Sequence, residues 1–329
     1  MVERPAENDF VSVIIPAYNA AQTLDATLAS ALAQTHRHLE VIIIDDGSQD
    51  NTGAVVARHA AVDHRVRYVV QENAGVAVAR NRGIAEARGA FIATLDADDL
   101  WYPTKLERQL ERMGTAGPEA ALVYAWCYWL APDGSTMGYA PPLRHEGRVL
   151  RQMCLGNLVI SASNALVRRE AIIAAGGFDE QLRSAGGQGC EDWKLYLQIA
   201  EKHEIANVPE YLVGYRIHPG AMSDDFAQMM RSRGLVEDQM LPRHPELASS
   251  FAAGRAILAR SLAVRAFRRS QYRMAMRLLT GYPHLSLTMA WQSAGWLLRG
   301  AGRRMSKGLR ARMPSLSQRF DKASRRRTG

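Results

Sequence analysis

Cysteine is scarce in this chain of 329 residues: only Cys127, Cys154 and Cys190 occur. They are far apart, odd in number and form no C-x-x-C pair. Neither a disulfide framework nor a zinc site is expected, and a reducing, cytoplasmic setting is. No apolar run reaches the ~18 residues that a spanning helix needs. The nearest approach, around 285–298, is interrupted by Ser286, Gln292 and Ser293. The first ten residues, MVERPAENDF, are polar and lack the form of a secretory leader. Several motifs are missing as well. Without G-x-x-x-x-G-K-[ST] there is no P-loop, and no G-x-G-x-x-G follows the first apolar run, which argues against a dinucleotide fold. No G-x-S-x-G elbow is present, which argues against an α/β-hydrolase.

Acidic residues almost vanish from the C-terminal part. Residues 251–329 carry 18 Lys/Arg and one acid, Asp321, a balance of +17; residues 1–250 carry 23 Lys/Arg and 32 Asp/Glu, a balance of −9. The net charge of +8 hides this asymmetry. Such a split points to different partners for the two parts.

What is present is a repeated alternation. Val11–Ile15, Glu40–Ile44, Val66–Val70 and Phe91–Leu95 are short apolar runs that read as buried strands. Helical spacing lies between them, at 22–34, Gly53–His59 and Ala77–Ala87. Strands apolar on both faces, alternating with helices, predict a mostly parallel sheet flanked by helices. Further on, 104–113 and Glu191–Lys202 read as helices, and Ala120–Leu130, 157–168 and Tyr211–Ile217 as strands. The loop Ser184–Gly189 is glycine-rich and expected to be mobile. After about residue 225 the sequence turns to Arg/Ala/Leu/Met-rich helix, so the division expected is 1–225 and a basic helical extension over 226–329.

In α/β sheets of this kind ligands bind at the carboxyl ends of the strands. Three polar clusters fall there: Pro16–Asn19, Asp45–Asp50 and Asp96–Asp99. Each has a bland reading. Asp96-Ala97-Asp98-Asp99 suits a hard divalent cation, and equally a turn with a helix N-cap. Asp45-Asp46-Gly47-Ser48 suits a nucleoside, and equally an Asp-Gly turn. Tyr18 can stack on a base or pack at a rim. Glu191-Asp192 opens a helix, where acids are favoured by the dipole, and where a general base can also sit. His218 becomes a ligand only if an ion lies nearby.

Taken together and in order, S-V-I-I-P-A-Y-N (12–19), E-V-I-I-I-D-D-G-S-Q-D-N-T (40–52), N-A-G-V-A-V-A-R-N-R-G-I (73–84), F-I-A-T-L-D-A-D-D-L-W-Y-P-T-K-L (91–106), G-G-F-D-E (176–180), C-E-D-W-K-L (190–195) and Y-R-I-H (215–218) closely resemble the family-2 inverting glycosyltransferases, over about 210 residues. The resemblance implies a GT-A, Rossmann-like fold and transfer of a sugar from a nucleotide-sugar donor, UDP being commonest, with Mn²⁺ or Mg²⁺. It implies that Pro16, Tyr18 and Asp46 hold the nucleotide base, with Arg80 near the diphosphate. Asp96 and Asp98 fall on the D-x-D pair, Asp98 as direct metal ligand and Asp96 at the ribose or the metal's water shell. Asp192 falls on the catalytic base, with Glu191 beside it near the acceptor. His218 falls where some members place a further metal ligand, and Trp193 where an aromatic can line the acceptor pocket.

Rival classes are an inactive nucleotide-binding module, a nucleotidyltransferase and a nucleic-acid binder. Loss of Asp98 or Asp192 would favour the first, and both are present. The second lacks a glycine-rich phosphate loop with a basic residue after the first strand. The third rests only on the basic C-terminal portion, which carries no nucleic-acid motif. In 255–329, arginines interleaved with Phe267, Trp291, Trp296 and leucines suit a helix lying on an anionic membrane surface, or helices packed on the domain with a basic tail. The membrane reading places the protein peripherally on the cytoplasmic face, beside a saccharide or lipid-linked saccharide acceptor.

Overall fold

The computed structural model describes residues 9–218 and 220–281. The chain divides into two compact units, Met1–Gly254 and Arg255–Gly329.

In the first unit β1 (Val11–Ala17), α1 (Leu24–Leu32), β2 (Leu39–Asp45), α2 (Thr52–Ala60), β3 (Val66–Val70), α3 (Val76–Glu86) and β4 (Phe91–Thr94) alternate as expected. Then come β5 (Leu100–Trp101), α4 (Lys105–Ala116), β6 (Ala120–Leu130), β7 (Thr136–Tyr139), α5 (Leu150–Leu155), β8 (Leu166–Arg168), α6 (Arg169–Ala174), α7 (Gln181–Ser184), α8 (Glu191–Ala200), β9 (Glu204–Arg216) and α9 (Phe226–Met240). The helix α10 (Ala248–Arg268) runs across the division, and α11 (Tyr272–Thr280) follows.

All of these strands join one sheet, ordered β3-β2-β1-β4-β8-β6-β9-β5, with β7 paired to β6. It is parallel from β3 to β4 and mixed beyond, because β8 runs antiparallel to both β4 and β6. Burial on both faces explains the apolar runs. Ile14, Ile42 and Ile44 pack on one side with Ala79 and Ile84 of α3, while Val13, Ile15, Val41 and Ile43 pack on the other with Leu24, Leu28, Val55 and Val56. Alternate side chains thus enter two separate cores. Each fully buried Ile contributes about 1.5–3 kcal/mol relative to exposure. α3 lies so close to β1 that a Cβ on Gly83 would stand 2.3 Å from Ile14 Cγ2.

Some expectations change. Residues 157–168 form a loop with a single turn of helix before the three-residue strand β8. β9 begins seven residues before Tyr211 and carries Pro209 within it. The loop at 186–189 is tied to α9. Ser232 Oγ accepts from Gln188 N–H at 2.5 Å and donates to Gln188 O at 2.7 Å, and Gln228 donates to Gly186 O at 2.7 Å. α9 therefore lies within the first unit.

In the second unit α11 carries Tyr272 and Met276 more than half exposed, and Phe267 meets Tyr272 edge-on at 5.3 Å. The stretch Pro245–Arg268, 24 residues, is long and apolar enough to cross a membrane by length and composition, contrary to the sequence reading. Of its most apolar window 44% is buried inside the protein. The apolar segment 285–298 and the arginines beyond it lie outside the described residues.

Candidate active site

The three polar clusters stand at the carboxyl ends of β1, β2 and β4, three adjacent strands. At the end of β2, Asp45 accepts from Ser48 N–H at 2.8 Å and from the Tyr68 hydroxyl. Asp46 is buried, and its carboxylate holds the following loop. It accepts from Gln71 Nε2 at 2.8 Å, Ala74 N–H at 2.9 Å and Gly75 N–H at 2.8 Å. Gly75, at φ 98°, makes the turn into α3, whose positive N-terminal end favours a carboxylate there. Pro16 lies inside β1 opposite Ile44, and Tyr18 stands 53% exposed just after it.

Past β4 the backbone turns sharply and spreads its three carboxylates. Asp96 accepts from Arg80 at 2.7 Å. Asp98 Oδ2 lies 3.0 Å from His218 Nε2, a pair brought together from 120 residues apart. Burial and the Asp96 charge push the Asp98 carboxyl above its usual range, with His218 pulling the other way. Asp99 points inward, 1% exposed, and accepts from Ser163 Oγ at 2.6 Å and Arg216 N–H at 2.8 Å. Burial, Asp98 and Asp96 raise it well above the usual range.

A carboxylate oxygen and an imidazole nitrogen are donors that Mn²⁺ accepts, and a hard cation completes its shell with water and phosphate oxygens. Relief of the repulsion between Asp96 and Asp98 adds to the fit. Among the described residues no group of three or more His, Cys, Asp or Glu side chains stands together as a metal site, so an ion here would rest on few protein donors and on water and phosphate oxygens.

Arg80 is almost wholly buried and reaches two carboxylates, Asp96 and, at 3.0 Å, Glu191. Burial opposes its charge, but Asp96 and Glu191 outweigh it and hold the guanidinium firmly ionised. Phe178 covers it at 5.1 Å. Glu191 also accepts from Gly189 N–H at 2.9 Å, so both its oxygens are engaged. The neighbouring Asp192 differs. It accepts from Asn157 at a longer 3.2 Å and from the amide of Trp193 at 2.6 Å. Burial and then Glu191 push its carboxyl up to about 7, against the pull of Arg80. An acid poised near neutrality at a helix start is suited to taking a proton.

Residues 12–175 match the family model described as glycosyl transferase family 2. The chain belongs to that family. Among its relatives is a Bacillus subtilis protein named as a teichuronic acid biosynthesis glycosyltransferase, TuaG, 46% identical over 154 residues, which are 46% of this chain and 60% of TuaG. The chain thus spans less than two thirds of TuaG's own length. Another is the Escherichia coli UDP-Glc:alpha-D-GlcNAc-diphosphoundecaprenol beta-1,3-glucosyltransferase WfaP, 29% identical over 250 residues, 74% of this chain and 92% of WfaP. In structure the chain is similar to the mannosyltransferase PcManGT of Pyrobaculum calidifontis, solved with GDP-Man and Mn²⁺. The TM-score is 0.58 at 19% identity, covering 94% of this chain and 86% of that one. The fold is GT-A.

Within this family-2 domain, five of the positions singled out in the sequence fall into two groups that Arg80 joins, Asp96 with Asp98 and His218, and Glu191 with Asp192, while Pro16, Tyr18 and Asp46 stand apart at the ends of β1 and β2. Trp193 does not line a pocket. It is 3% exposed, donates from Nε1 to Met153 O at 2.8 Å and meets Phe251 edge-on, because its position on α8 faces the core. The sequence reading gave no role to Asn157, Ser163 or Arg216. Asp99 was visible only as the last acid of its cluster.

Proposed function

We propose that the protein is an inverting, metal-dependent glycosyltransferase that moves a sugar from a nucleotide-sugar donor, UDP-linked, to an acceptor hydroxyl in cell-surface polysaccharide or glycolipid synthesis. The observation that carries this is a buried arginine, Arg80, bonded to both Asp96 of the D-x-D loop and Glu191 beside Asp192. It ties the donor-side carboxylates to the start of the base helix, so the two halves of a transfer reaction share one rigid link. Nucleotide binding falls to Pro16, Tyr18 and the Asp46-held loop, with Arg80 and Asp96 toward the diphosphate.

Asp98 and His218, with Asp96 beside them, would hold Mn²⁺ or Mg²⁺. When bound, such an ion neutralises the charge that develops on a departing diphosphate. Asp192 takes the proton of the attacking hydroxyl, and Glu191, fixed by Arg80 and Gly189 N–H, keeps it in place. One base and one leaving-group site differ from the two-carboxylate arrangement of glycosidases. The acceptor we favour is a lipid-linked saccharide, met at the cytoplasmic face through attachment of basic residues 255–329 to anionic headgroups. WfaP's own acceptor, a diphosphoundecaprenol-linked sugar, and the +17 balance of 251–329 support this.

The test is NMR of the product. An α-linked nucleotide sugar is expected to yield a β-linked product, and an α-linked product would refute inversion.

A further inference from the structure

We propose that Arg216 and Asp99 are positioning residues that hold Asp98 and His218 in register for a divalent cation. The inference rests on the metal-dependent reading above for what the ion does. Asp98 and His218 belong to segments 120 residues apart, so something must fix one backbone against the other. β5 pairs antiparallel with β9, Leu100 opposite Gly214, and the same register carried back places Asp98 opposite Arg216. There the ladder is replaced by side chains. Arg216 N–H donates to Asp99 Oδ1 at 2.8 Å, and Arg216 Nε donates to the Asp98 carbonyl at 2.6 Å. The same guanidinium donates to Ala131 O at 3.1 Å and Pro132 O at 2.9 Å, beyond the end of β6.

The ring of contacts closes on the other side. Ser163 Oγ accepts from Asp96 N–H at 3.0 Å and donates to Asp99 Oδ2 at 2.6 Å. Both acid-bearing positions of the D-x-D pair, 96 and 98, are thus held through their main chain by a network that contains no ligand itself. Arg216 is 6% exposed and Asp99 1%, so neither can reach a substrate. Arginine presents five donors in a rigid planar fork, here spanning the Asp98, Ala131 and Pro132 carbonyls, a geometry that lysine's compact ammonium does not reproduce.

The experiment compares the full chain with Arg216→Met, Arg216→Lys, Ser163→Ala and, as reference, Asp98→Ala. Mn²⁺ affinity is read by EPR of the free ion, alone and with UDP, beside KM and kcat for the donor. Supporting groups around a metal typically matter by about 10–100-fold in affinity. Arg216→Met is expected to weaken Mn²⁺ binding and raise donor KM within that range while the far-UV CD stays that of the parent, with Arg216→Lys only partly restoring both. A folded Arg216→Met protein with parental Mn²⁺ affinity and KM overturns the inference. Should Arg216→Met not fold, Ser163→Ala decides: weaker Mn²⁺ binding supports the network, and parental binding overturns it. Unchanged Mn²⁺ binding by Asp98→Ala would instead remove the metal reading itself, a different failure.

Discussion

Arg80 Nη1 lies 3.0 Å from Glu191 Oε1, across 111 residues of chain. That contact decides which of two adjacent acids is free to act. Glu191 is anchored at both oxygens, one of them by a charged guanidinium, whereas Asp192 has only the neutral partners Asn157 and the Trp193 amide and a carboxyl raised to about 7. Asp192→Asn is therefore expected to lower kcat by roughly 10²–10⁴-fold, the usual weight of general-base catalysis, with donor KM little changed. Steady-state kinetics with saturating donor checks this. A severe Glu191→Gln and a mild Asp192→Asn would mean the roles are reversed.

The same acid sets a pH dependence. Asp192 must be ionised to accept a proton, so kcat/KM is expected to fall with unit slope below about pH 7. Stability has the opposite sense. The folded-state value is raised above the ordinary 3.8, so folding disfavours the ionised form; the cost is absent below ~4, grows as pH rises toward 7 and is constant above. Asp192→Asn removes that cost. Its Tm should exceed the parent's at pH 8, by about 2–4 °C for each kcal/mol of that cost, and converge with it near pH 4. A constant difference across that range would contradict the assignment.

Arg80→Met keeps the volume and removes the charge. It leaves Glu191 buried and unpaired, and breaking a buried pair costs about 3–5 kcal/mol. Urea unfolding should show a loss of that order. A change under ~1 kcal/mol would mean that water replaces the guanidinium freely.

Much of this was legible in the sequence because burial on both faces leaves a plain mark. Ile42, Ile43 and Ile44 in succession, β-branched and bounded by a polar Asp-Gly turn, read as a strand covered on two sides, and the polar residues that follow mark its end. The acids at 96 and 98 were visible for the same reason, and those at 191 and 192 because they open a helix after a glycine-rich loop. Their partners were not. Arg80 was placed near the diphosphate by the resemblance alone, and nothing in its local pattern announces its bonds to Asp96 and Glu191. Pro209 concealed the first half of β9, and short segments such as α5 carry too few residues for a period. The glycines at 186 and 187 suggested freedom, yet Ser232 and Gln228 of α9 hold that loop through contacts no local pattern announces.

The basic C-terminal part gives a further prediction. The full chain should co-sediment with liposomes containing anionic lipid and be released by salt, since each Lys/Arg near such a surface adds ~1 kcal/mol. It should not co-sediment with neutral liposomes. Equal sedimentation with both, or none with either at low salt, would assign the arginines of 255–329 a role away from membranes.

The most direct test of the central claim is nucleoside diphosphate release from a panel of nucleotide sugars, with Mn²⁺ or Mg²⁺ and lipid-linked saccharide acceptors, for the parent and Asp98→Ala. The account predicts acceptor-dependent release from at least one donor by the parent, abolished by EDTA and by Asp98→Ala. Release from none, or equal release by Asp98→Ala in EDTA, would contradict it.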